Sequence, residues 1–381
     1  MKEGWEYKTL GEVAKVFAGG DVPKNRMSKC KKEPFIIPIY TNGIENEGLY
    51  GYTDIARVND LSLTISARGT IGAIFKRNNP FFPAIRLITV CPQNIVDINF
   101  LYYVLLNSTF TKSGTTIPQL TVPMLKQYRF AIPENISIQQ NIANYLDSSF
   151  KLIDEIKNKA LKSLTEAKAL FQSALTEAME SKEGWEYKTL GEVVSFSRGL
   201  TYKKSDEVDY STKVVLRSTN INVDNNSLNI DELKYLNENI EFEEEKLIKK
   251  GSILICMSNG SKKHLGKVAL IEHDYKYAFG GFMGLLTPVI KINSKYLYYT
   301  LTTPKYKEYI KSLSEGANIN NLKIKDIQKY IIPIFPLNEQ NQIVSHLDKL
   351  SSKVRAIEEK YQKMVEECDA LKQAMLRDVF E

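Results

Sequence analysis

The chain has few of the residues that metal and redox chemistry require. Its 381 residues include four cysteines and three histidines. No two cysteines stand at metal-ligand or redox spacing, and no His-x-x-x-His pair occurs among His264, His273 and His346. The sequence therefore argues against a bound zinc or iron, and it predicts reduced, structural thiols at Cys30, Cys91, Cys256 and Cys368.

Long apolar runs are also missing. No stretch approaches the roughly 18 apolar residues of a membrane span, and the first residues are not followed by a signal-type apolar segment. We therefore expect a cytoplasmic protein. The formal net charge of +6 is compatible with a nucleic-acid partner without indicating one.

Two stretches come close to catalytic motifs and fail. Residues 79–82, NPFF, resemble the Asn-Pro-Pro-aromatic motif of amino-methyltransferases, but Phe81 replaces the second proline and no glycine-rich cofactor loop accompanies it. Residues 260–268, GSKKHLGKV, resemble a phosphate loop, but five residues separate the glycines and Val268 stands where Ser or Thr is required. As a basic, glycine-flanked loop this second stretch still suits contact with DNA phosphates, with an ordinary solvated hairpin as the alternative.

What the sequence does contain is a duplication. KEGWEYKTLGEV at residues 2–13 returns unchanged at residues 182–193. FLYYVL at 100–105 is matched by YLYYTL at 296–301, and GTTIPQL at 114–120 by GANINNL at 316–322. QQNIANYLD at 139–147 is matched by QNQIVSHLD at 340–348, at an offset of 201. The same order of similar segments in both halves indicates a tandem repeat.

Each half predicts a mixed α+β head followed by a long helix. Short β-like runs such as 35–40, 62–66 and 253–257 are broken by Gly, Asn and Pro. Apolar residues then recur at steps of four and three, which is typical of a helix with one narrow apolar seam. The predicted helix-pairing residues are Ile142, Leu146, Ile153, Ile156 and Leu170 in the first helix and Ile343, Leu347, Leu350, Val354, Ile357, Tyr361, Met364, Leu371 and Met375 in the second. Ser149, Ala160, Ser163, Ala167 and Ala174 complete the first seam with small side chains.

The predicted fold class is α+β, with two globular heads joined by two long antiparallel helices that pair as a coiled coil. The predicted domains are residues 1–135, 136–181, 182–337 and 338–381, which alternate head and helix. A helix from Ile142 to Met179 would be about 57 Å long, longer than a head, so the two helices must pair with each other. If a pseudo-two-fold axis relates the halves, the helices run antiparallel. The first repeat then lies near the end of the second helix, around Asp378.

Several motifs, taken in order, resemble one family. They are WEYKTLGEV opening each half, SARGTIG at 66–72, PLNEQNQI at 336–343, and LKQAML at 371–376 with its counterpart LFQSAL at 170–175. The set resembles the DNA specificity subunit of type I restriction-modification systems. The first helix departs from the pattern, because PENISIQQ at 133–140 lacks the Pro-Leu-x-Glu-Gln form.

The resemblance implies a non-catalytic reader of double-stranded DNA. The two heads would be target-recognition domains that each bind one half of a split sequence, and the paired helices would be spacer and docking platform. The expected partners are two methyltransferase subunits and two ATP-dependent restriction subunits. S-adenosylmethionine, ATP and Mg would belong to those partners, and none of them to this chain. A helix of about 57 Å spans at most about 17 base pairs at about 3.4 Å each.

Two other functions stay open from the sequence. One is a coiled-coil scaffold that organises proteins without touching DNA. The other is a self-contained DNA methyltransferase, against which the missing cofactor loop argues.

The DNA-binding candidates follow from side-chain chemistry. Arg and Lys suit phosphates and guanine, Asn suits adenine, and Tyr suits phosphate or stacking. The first head offers Lys24, Arg26, Tyr40, Asn42, Arg68, Thr70, Lys76, Arg77 and Arg86. The second head offers Lys203, Lys204, Arg217, Ser218, Asn220, Asn222, Lys262, Lys263, His264 and Lys267. Arg68, in a glycine-flanked loop, and Arg217, beside Ser218, are the favoured ones.

Overall fold

The structure is a computed structural model that describes residues 4–108, 110, 119–180, 184–223, 225–315 and 321–381. Most of the GTTIPQL and GANINNL segments lies outside the described residues. The chain divides into two compact units. The first consists of Met1–Leu161 with Gln362–Glu381, and the second of Lys162–Tyr361.

The first unit contains one head. Its strands are β1 (Trp5–Thr9), β2 (Ala14–Ala18), β3 (Met27–Ser28), β4 (Ile37–Tyr40), β5 (Leu49–Thr53), β6 (Ser62–Ile65), β7 (Ile74–Arg77), β8 (Phe82–Pro83), β9 (Ile88–Pro92) and β10 (Arg129–Pro133). Its helices are α1 (Leu10–Val13), α2 (Ile98–Asn107), α3 (Val122–Lys126) and the first part of α4 (Ile136–Ala178). The strands form two four-stranded sheets, β2-β9-β6-β7 and β3-β5-β4-β8, and a separate pair, β1-β10.

The second unit contains the other head. Its strands are β11 (Glu186–Thr189), β12 (Val194–Arg198), β13 (Glu207–Val208), β14 (Lys213–Leu216), β15 (Lys234–Leu236), β16 (Ile253–Cys256), β17 (Val268–Leu270), β18 (Ala278–Phe279), β19 (Met283–Pro288) and β20 (Ile331–Ile334). Its helices are α5 (Leu190–Val193), α6 (Ser294–Thr300), α7 (Pro304–Glu315), α8 (Ile324–Ile327) and the first part of α9 (Leu337–Phe380). The sheets β12-β19-β16-β17 and β13-β15-β14-β18, with the pair β11-β20, repeat the strand order of the first unit. The predicted α+β class and duplication are therefore confirmed.

The repeated KEGWEYKTLGEV fastens each head to the segment that leads into its helix. β1 pairs antiparallel with β10, which comes just before α4, and β11 pairs in the same way with β20 before α9. The following turn buries Leu10 and Val13 in the first unit and Leu190 and Val193 in the second. Identical residues thus build identical joints, because both must make the same strand pair and fill the same core.

The first repeat also meets the end of α9, as predicted. Trp5 and Phe380 both pack against the core cluster of the first head. Phe100 lies between them, with ring centroids 6.1 Å from Trp5 and 5.6 Å from Phe380. In the second unit, Trp185 packs in one cluster with Ala178 and Met179 at the end of the α4 segment.

Within each unit, the α4 and α9 segments run antiparallel. In the first unit, Lys157 Nζ lies 2.6 Å from a carboxylate oxygen of Asp369, and Lys372 bonds Asp154. In the second unit, Phe171 on α4 and Val354 on α9 line the same cavity. Leu175, which comes later in α4, packs in one cluster with Leu347, which comes earlier in α9. Residues further along α4 thus meet residues earlier in α9.

Ten of the fourteen predicted helix-pairing residues are buried or half-buried. Leu146, Ile153, Leu347 and Val354 are buried. The remaining predicted residues that are half-buried are Ile142, Ile343, Leu350, Tyr361, Met364 and Met375. Ile156, Leu170, Ile357 and Leu371 are exposed, so these four pairing predictions are wrong.

The error has a physical cause. At two of these positions the inward residue stands one position later than predicted: Lys157 and Phe171 are half-buried where Ile156 and Leu170 were expected. The apolar side chains at Ile156 and Leu170 flank the seam. The Lys157 stem lies along it while its charged tip reaches Asp369. A flanking apolar residue and a seam residue look alike in sequence.

None of the helices in the described part of the chain combines the length and the apolar composition that a membrane span needs.

Candidate nucleic-acid interface

In the first head, the loop after β6 presents the favoured candidate Arg68. The Ala67 N–H donates to Oδ1 of Asn42 at 2.8 Å, and the Ala67 carbonyl accepts from Leu120 N–H at 2.9 Å. Gly69 has φ of +74°, a conformation that glycine adopts without strain. The loop is therefore held at its base, and half-buried Arg68 and exposed Thr70 lie at its tip.

Arg86 joins the same loop cluster. It is exposed, and its Nη1 lies 3.5 Å from Oε1 of Gln119, the neighbour of Leu120. Through the Leu120–Ala67 hydrogen bond, the structure thus links Arg86 to the loop that carries Arg68. Asn42, Arg68, Thr70 and Arg86 form what we call the first-head loop cluster.

Lys24 and Arg26 lie on a separate short turn between β2 and β3. The Arg26 guanidinium donates to one oxygen of Asp54 at 2.6 and 3.1 Å. This hydrogen bond lowers the pKa of the half-buried Asp54 carboxyl. The Arg26 side chain is still 60% exposed, so it remains a candidate for phosphate contact.

Three other first-head candidates have internal roles, and we correct their assignment. Arg77 is 3% exposed. Its guanidinium donates to Glu47 Oε2 at 3.0 Å and lies 3.5 Å from the centre of the Tyr40 ring, so both side chains face each other inside the head. Lys76 donates to Asn99 at 2.8 Å and lies 3.6 Å from Asp147 on α4. Arg77 and Tyr40 stabilise the head, and Lys76 belongs to the joint with the helix.

In the second head, Arg217 and Ser218 follow β14, as Thr41 and Asn42 follow β4. The Asn259 amide donates to Ser218 Oγ at 3.0 Å, which ties this segment to the loop after β16. The buried Nε of Arg217 has no hydrogen-bond partner among the described residues. The favoured Arg217 therefore lies beside the second loop with an unsatisfied donor.

The basic loop at 260–268 is divided between surface and core. Lys262 and Lys263 are exposed in a short turn with half-buried His264, and Lys262 Nζ donates to the Ser314 carbonyl at 3.2 Å. Lys267 is 9% exposed and donates to the Ile221 carbonyl at 2.7 Å, and burial lowers its pKa. The prediction of Lys267 as a DNA contact is therefore wrong, because its ammonium group is taken up inside the head.

The remaining second-head candidates also separate into surface and core. Asn220 is buried, and its amide donates to the carbonyls of Asn229 and Glu232 at 2.9 Å each, so it is structural and not a DNA contact. Asn222 closes a turn by donating its backbone N–H to Ser227. Lys203 and Lys204 are exposed at the start of a short turn.

Sequence reasoning missed the residues that fasten each head to its helix. The Gln139 amide is buried: its oxygen accepts from Asp97 N–H at 2.8 Å and its nitrogen donates to the carbonyls of Pro133 at 2.8 Å and Ile95 at 3.2 Å. Gln340 does the same in the second unit, with Asn293 N–H at 2.9 Å and the Phe335 carbonyl at 2.8 Å. Their recurrence at the same place in the repeated segment was the available signal.

A second pair of side chains repeats at these joints. Tyr103 donates to Asp147 at 2.6 Å and Tyr299 to Asp348 at 2.7 Å. Both hydrogen bonds connect a head helix to the long helix that follows it. In the described ranges, no three His, Cys, Asp or Glu side chains come together as metal ligands could.

Comparison with known proteins gives one consistent result. The sequence matches the type I restriction modification DNA specificity domain over residues 2–166 and 182–367. It is 38% identical over 156 residues to the putative type I specificity subunit S.MpnORF89P of Mycoplasma pneumoniae, which covers 41% of this chain and 46% of that protein. It is 33% identical over 197 residues to the type I restriction enzyme EcoKI specificity subunit of Escherichia coli, covering 51% and 42% respectively. Each of these alignments thus spans less than half of the relative.

A solved structure has a similar fold. Its description concerns the complex assembly and conformational transition of the type I R-M system. The TM-score is 0.76 at 18% identity, over 100% of this chain and 98% of that one.

Proposed function

Because this chain belongs to the family defined by the type I restriction modification DNA specificity domain, we propose that it is the DNA-reading subunit of a type I restriction-modification complex. Residues 1–135 and 182–337 act as target-recognition domains, each for one half of a split double-stranded sequence. Residues 136–181 and 338–381 act as spacer helices.

The observation that carries the proposal is the pair of heads. They share strand order and joints, yet their loops present different polar side chains at corresponding places. Asn42, Arg68 and Arg86 serve the first head, and Arg217, Ser218 and Asn259 serve the second. A scaffold that binds the same protein twice would keep its exposed loops alike. Two readers of different base sequences require the same frame with different donors and acceptors.

In this proposal the chain itself catalyses nothing. Two methyltransferase subunits and two ATP-dependent restriction subunits supply the chemistry, with S-adenosylmethionine, ATP and Mg bound to them. The name of the Escherichia coli relative supports partners of this kind, since that protein is described as a subunit of a restriction enzyme.

The test is selection of DNA by the complex. We would mix the full chain and its methyltransferase partner with a random duplex library and sequence the retained DNA. The expected result is a split motif, two short fixed sequences separated by a non-specific spacer. A library recovered without enrichment would contradict the proposal and favour a scaffold that does not touch DNA. Labelling of the isolated chain by S-adenosylmethionine would instead support a self-contained methyltransferase.

The spacing role of the helices has its own test. Inserting seven residues between Ile156 and Leu170, and seven at the corresponding place between Ile357 and Leu371, keeps the heptad register. Each helix becomes about 10 Å longer, which is about three base pairs of duplex. We expect the selected spacer to lengthen by that amount with both half-sites unchanged.

A matched control keeps the helix length. Replacing Lys162 and Glu166 by alanine removes an exposed ion pair of 3.7 Å without inserting residues. Its selected spacer should equal that of the unaltered chain. A spacer that stays the same in the insertion variant would remove the ruler role and leave sequence reading intact.

A further inference from the structure

An open groove of about 860 Å³ lies on the second head. It is formed by the end of β12, the loop after β16, the turn before β19 and the segment that leads into α8. Side chains that line it include Arg198, Ser258, Phe282, Asn321, Lys323 and Lys325. We call it the second-head groove. All its lining residues belong to the second unit.

Phe282 is the unusual side chain of this groove, because it is 72% exposed. Burying a phenyl ring stabilises a fold by about 1.5–3 kcal/mol relative to leaving it exposed, so this ring contributes little to the stability of the head. Its backbone is nevertheless held firmly. The Phe282 carbonyl accepts hydrogen bonds from Met257 N–H at 2.9 Å and Ser258 N–H at 3.1 Å.

The neighbouring chain adds to this support. Leu322 N–H donates to the Met257 carbonyl at 2.8 Å, and Gly280 N–H donates to the Leu216 carbonyl at 2.8 Å. A Cβ on Gly199 would lie 2.0 Å from the Gly280 oxygen, so glycine is required where the two segments cross. The structure thus presents an aromatic ring to solvent on a backbone that is fixed from several sides.

The charge of the groove selects the kind of partner. Arg198, Lys323 and Lys325 are exposed and make no ion pair among the described residues. The lining carboxylate of Asp326 lies 3.3 Å from Lys329, which also lines the groove. Three uncompensated cations therefore line the same groove as one exposed ring. Phosphates neutralise such cations, and bases offer the apolar faces and methyl groups that a phenyl ring contacts.

From these observations we infer that Phe282 makes an apolar contact with a nucleobase of one half-site, while Arg198, Lys323 and Lys325 contact the flanking phosphates. This inference rests on the proposed function and assigns specificity-determining residues to it. The base contact comes from a thymine methyl group in the major groove or from a base step opened by the ring.

The first head does not repeat this arrangement. Gly19 N–H bonds the Leu87 carbonyl and Gly199 N–H bonds the Met283 carbonyl, so the preceding residues Arg86 and Phe282 occupy corresponding positions. A guanidinium stands in one head where a phenyl ring stands in the other. The apolar contact therefore belongs only to the half-site that the second head reads.

The experiment measures DNA affinity of the complex with its methyltransferase partner. Fluorescence anisotropy would follow binding to the selected duplex and to every single-base-pair change in both half-sites. Phe282→Ala should bind the selected duplex at least about tenfold more weakly and lose discrimination at one or two adjacent base pairs of one half-site. Tyr210→Ala is the matched control, because this ring is 79% exposed on the same head but does not line the groove.

Removal of one of the cations should change DNA affinity in a different way. Lys323→Ala and Lys325→Ala should weaken binding to all duplexes by a similar factor. Each should reduce the slope of log affinity against log salt by about one. Lys276→Ala removes an exposed charge outside the groove lining and serves as the control.

Thymine-to-uracil substitution separates the two kinds of base contact. If uracil at the affected position weakens binding of the unaltered chain but not of Phe282→Ala, the contact is with the methyl group. If uracil has no effect while Phe282→Ala still loses discrimination there, the ring opens a base step.

Unchanged affinity and discrimination in Phe282→Ala would overturn the inference, provided that the unaltered chain still selects its split motif. In that case the proposed function stands. If the unaltered chain selects no motif, the proposed function itself fails.

Discussion

At the joint between head and helix, the two units use the same side chains in the same way. Gln139 and Gln340 are both buried, and each accepts from the N-cap residue of a head helix and donates to a carbonyl just before the long helix. Around the solvent-facing loops they differ. Ala67 N–H bonds the Asn42 side chain, whereas Met257 N–H bonds the Phe282 backbone.

This difference shows which side chains are constrained by the backbone of the fold. A joint must satisfy buried backbone groups, and few side chains can do so from one position. A loop at the surface has water as an alternative partner, so its side chains are free to serve recognition. The comparison predicts that joint substitutions act equally in both units, whereas loop substitutions act on one half-site only.

The largest effect should come from the buried glutamines. Replacing Gln139 or Gln340 by alanine removes the hydrogen bonds of one amide and leaves buried backbone groups without partners. Each loss costs about 1–3 kcal/mol per unsatisfied group, so we expect each variant to lose about 2–4 kcal/mol of the free energy of unfolding. Chemical denaturation monitored by circular dichroism measures this loss in the free energy of unfolding.

The neighbouring exposed residues serve as controls. Gln140→Ala and Gln342→Ala lie on the same helices in the same repeated segment, and both side chains face solvent. They should change the free energy of unfolding by less than about 0.5 kcal/mol. A large loss in only one of the two buried variants would show that the joints are not equivalent.

A smaller effect, confined to one half-site, is expected from Arg68. If Arg68 contacts a base, Arg68→Ala should weaken binding to the selected duplex by about 1–3 kcal/mol and relax the preference at one position of a single half-site. Affinity measurements on duplexes changed in either half-site would show it. Arg129→Ala is the comparison, because Arg129 is an exposed arginine of the same head that lies on β10, outside the first-head loop cluster. Equal affinity of Arg68→Ala for the selected duplex would remove this residue from the interface.

The sequence predicted the parts of this molecule that repeat. The duplication, the α+β heads, the long helices and the position of the first repeat near the end of α9 all followed from segments that recur in order. The helix seam was wrong at four residues; at two of them, Ile156 and Leu170, the following residues Lys157 and Phe171 are half-buried instead. Periodicity identifies the face of a helix better than the individual residue that points inward.

The site was harder to predict, because its residues come from distant segments. Arg68 and Arg217 could be singled out by their neighbours in sequence, and both lie at surface loops. Arg77 and Lys267 carry the same charge type but lie inside the heads. The second-head groove brings together Arg198, Phe282 and Lys323, which only the folded backbone places side by side.

The smallest stability effect should come from the tyrosines of the joints, and it depends on pH. Tyr103 and Tyr299 donate to Asp147 and Asp348, and burial, followed by the hydrogen bond to the carboxylate, raises the pKa of both phenols. Replacement by phenylalanine should cost about 1 kcal/mol near pH 7, since the partner carboxylates are partly exposed.

The sign of the pH dependence follows from the raised pKa. A phenol whose folded pKa is raised contributes stability below its unfolded pKa of about 10 and loses it as the pH rises above that value. Phenylalanine cannot ionise, so the difference in free energy of unfolding between each variant and the unaltered chain should become smaller above about pH 10. Urea denaturation at neutral and alkaline pH measures this, with exposed Tyr145→Phe as the control. Because the two joints match, the difference in free energy of unfolding should become smaller at alkaline pH for both variants. If the difference disappeared for one variant and persisted for the other, the two joints would not be equivalent.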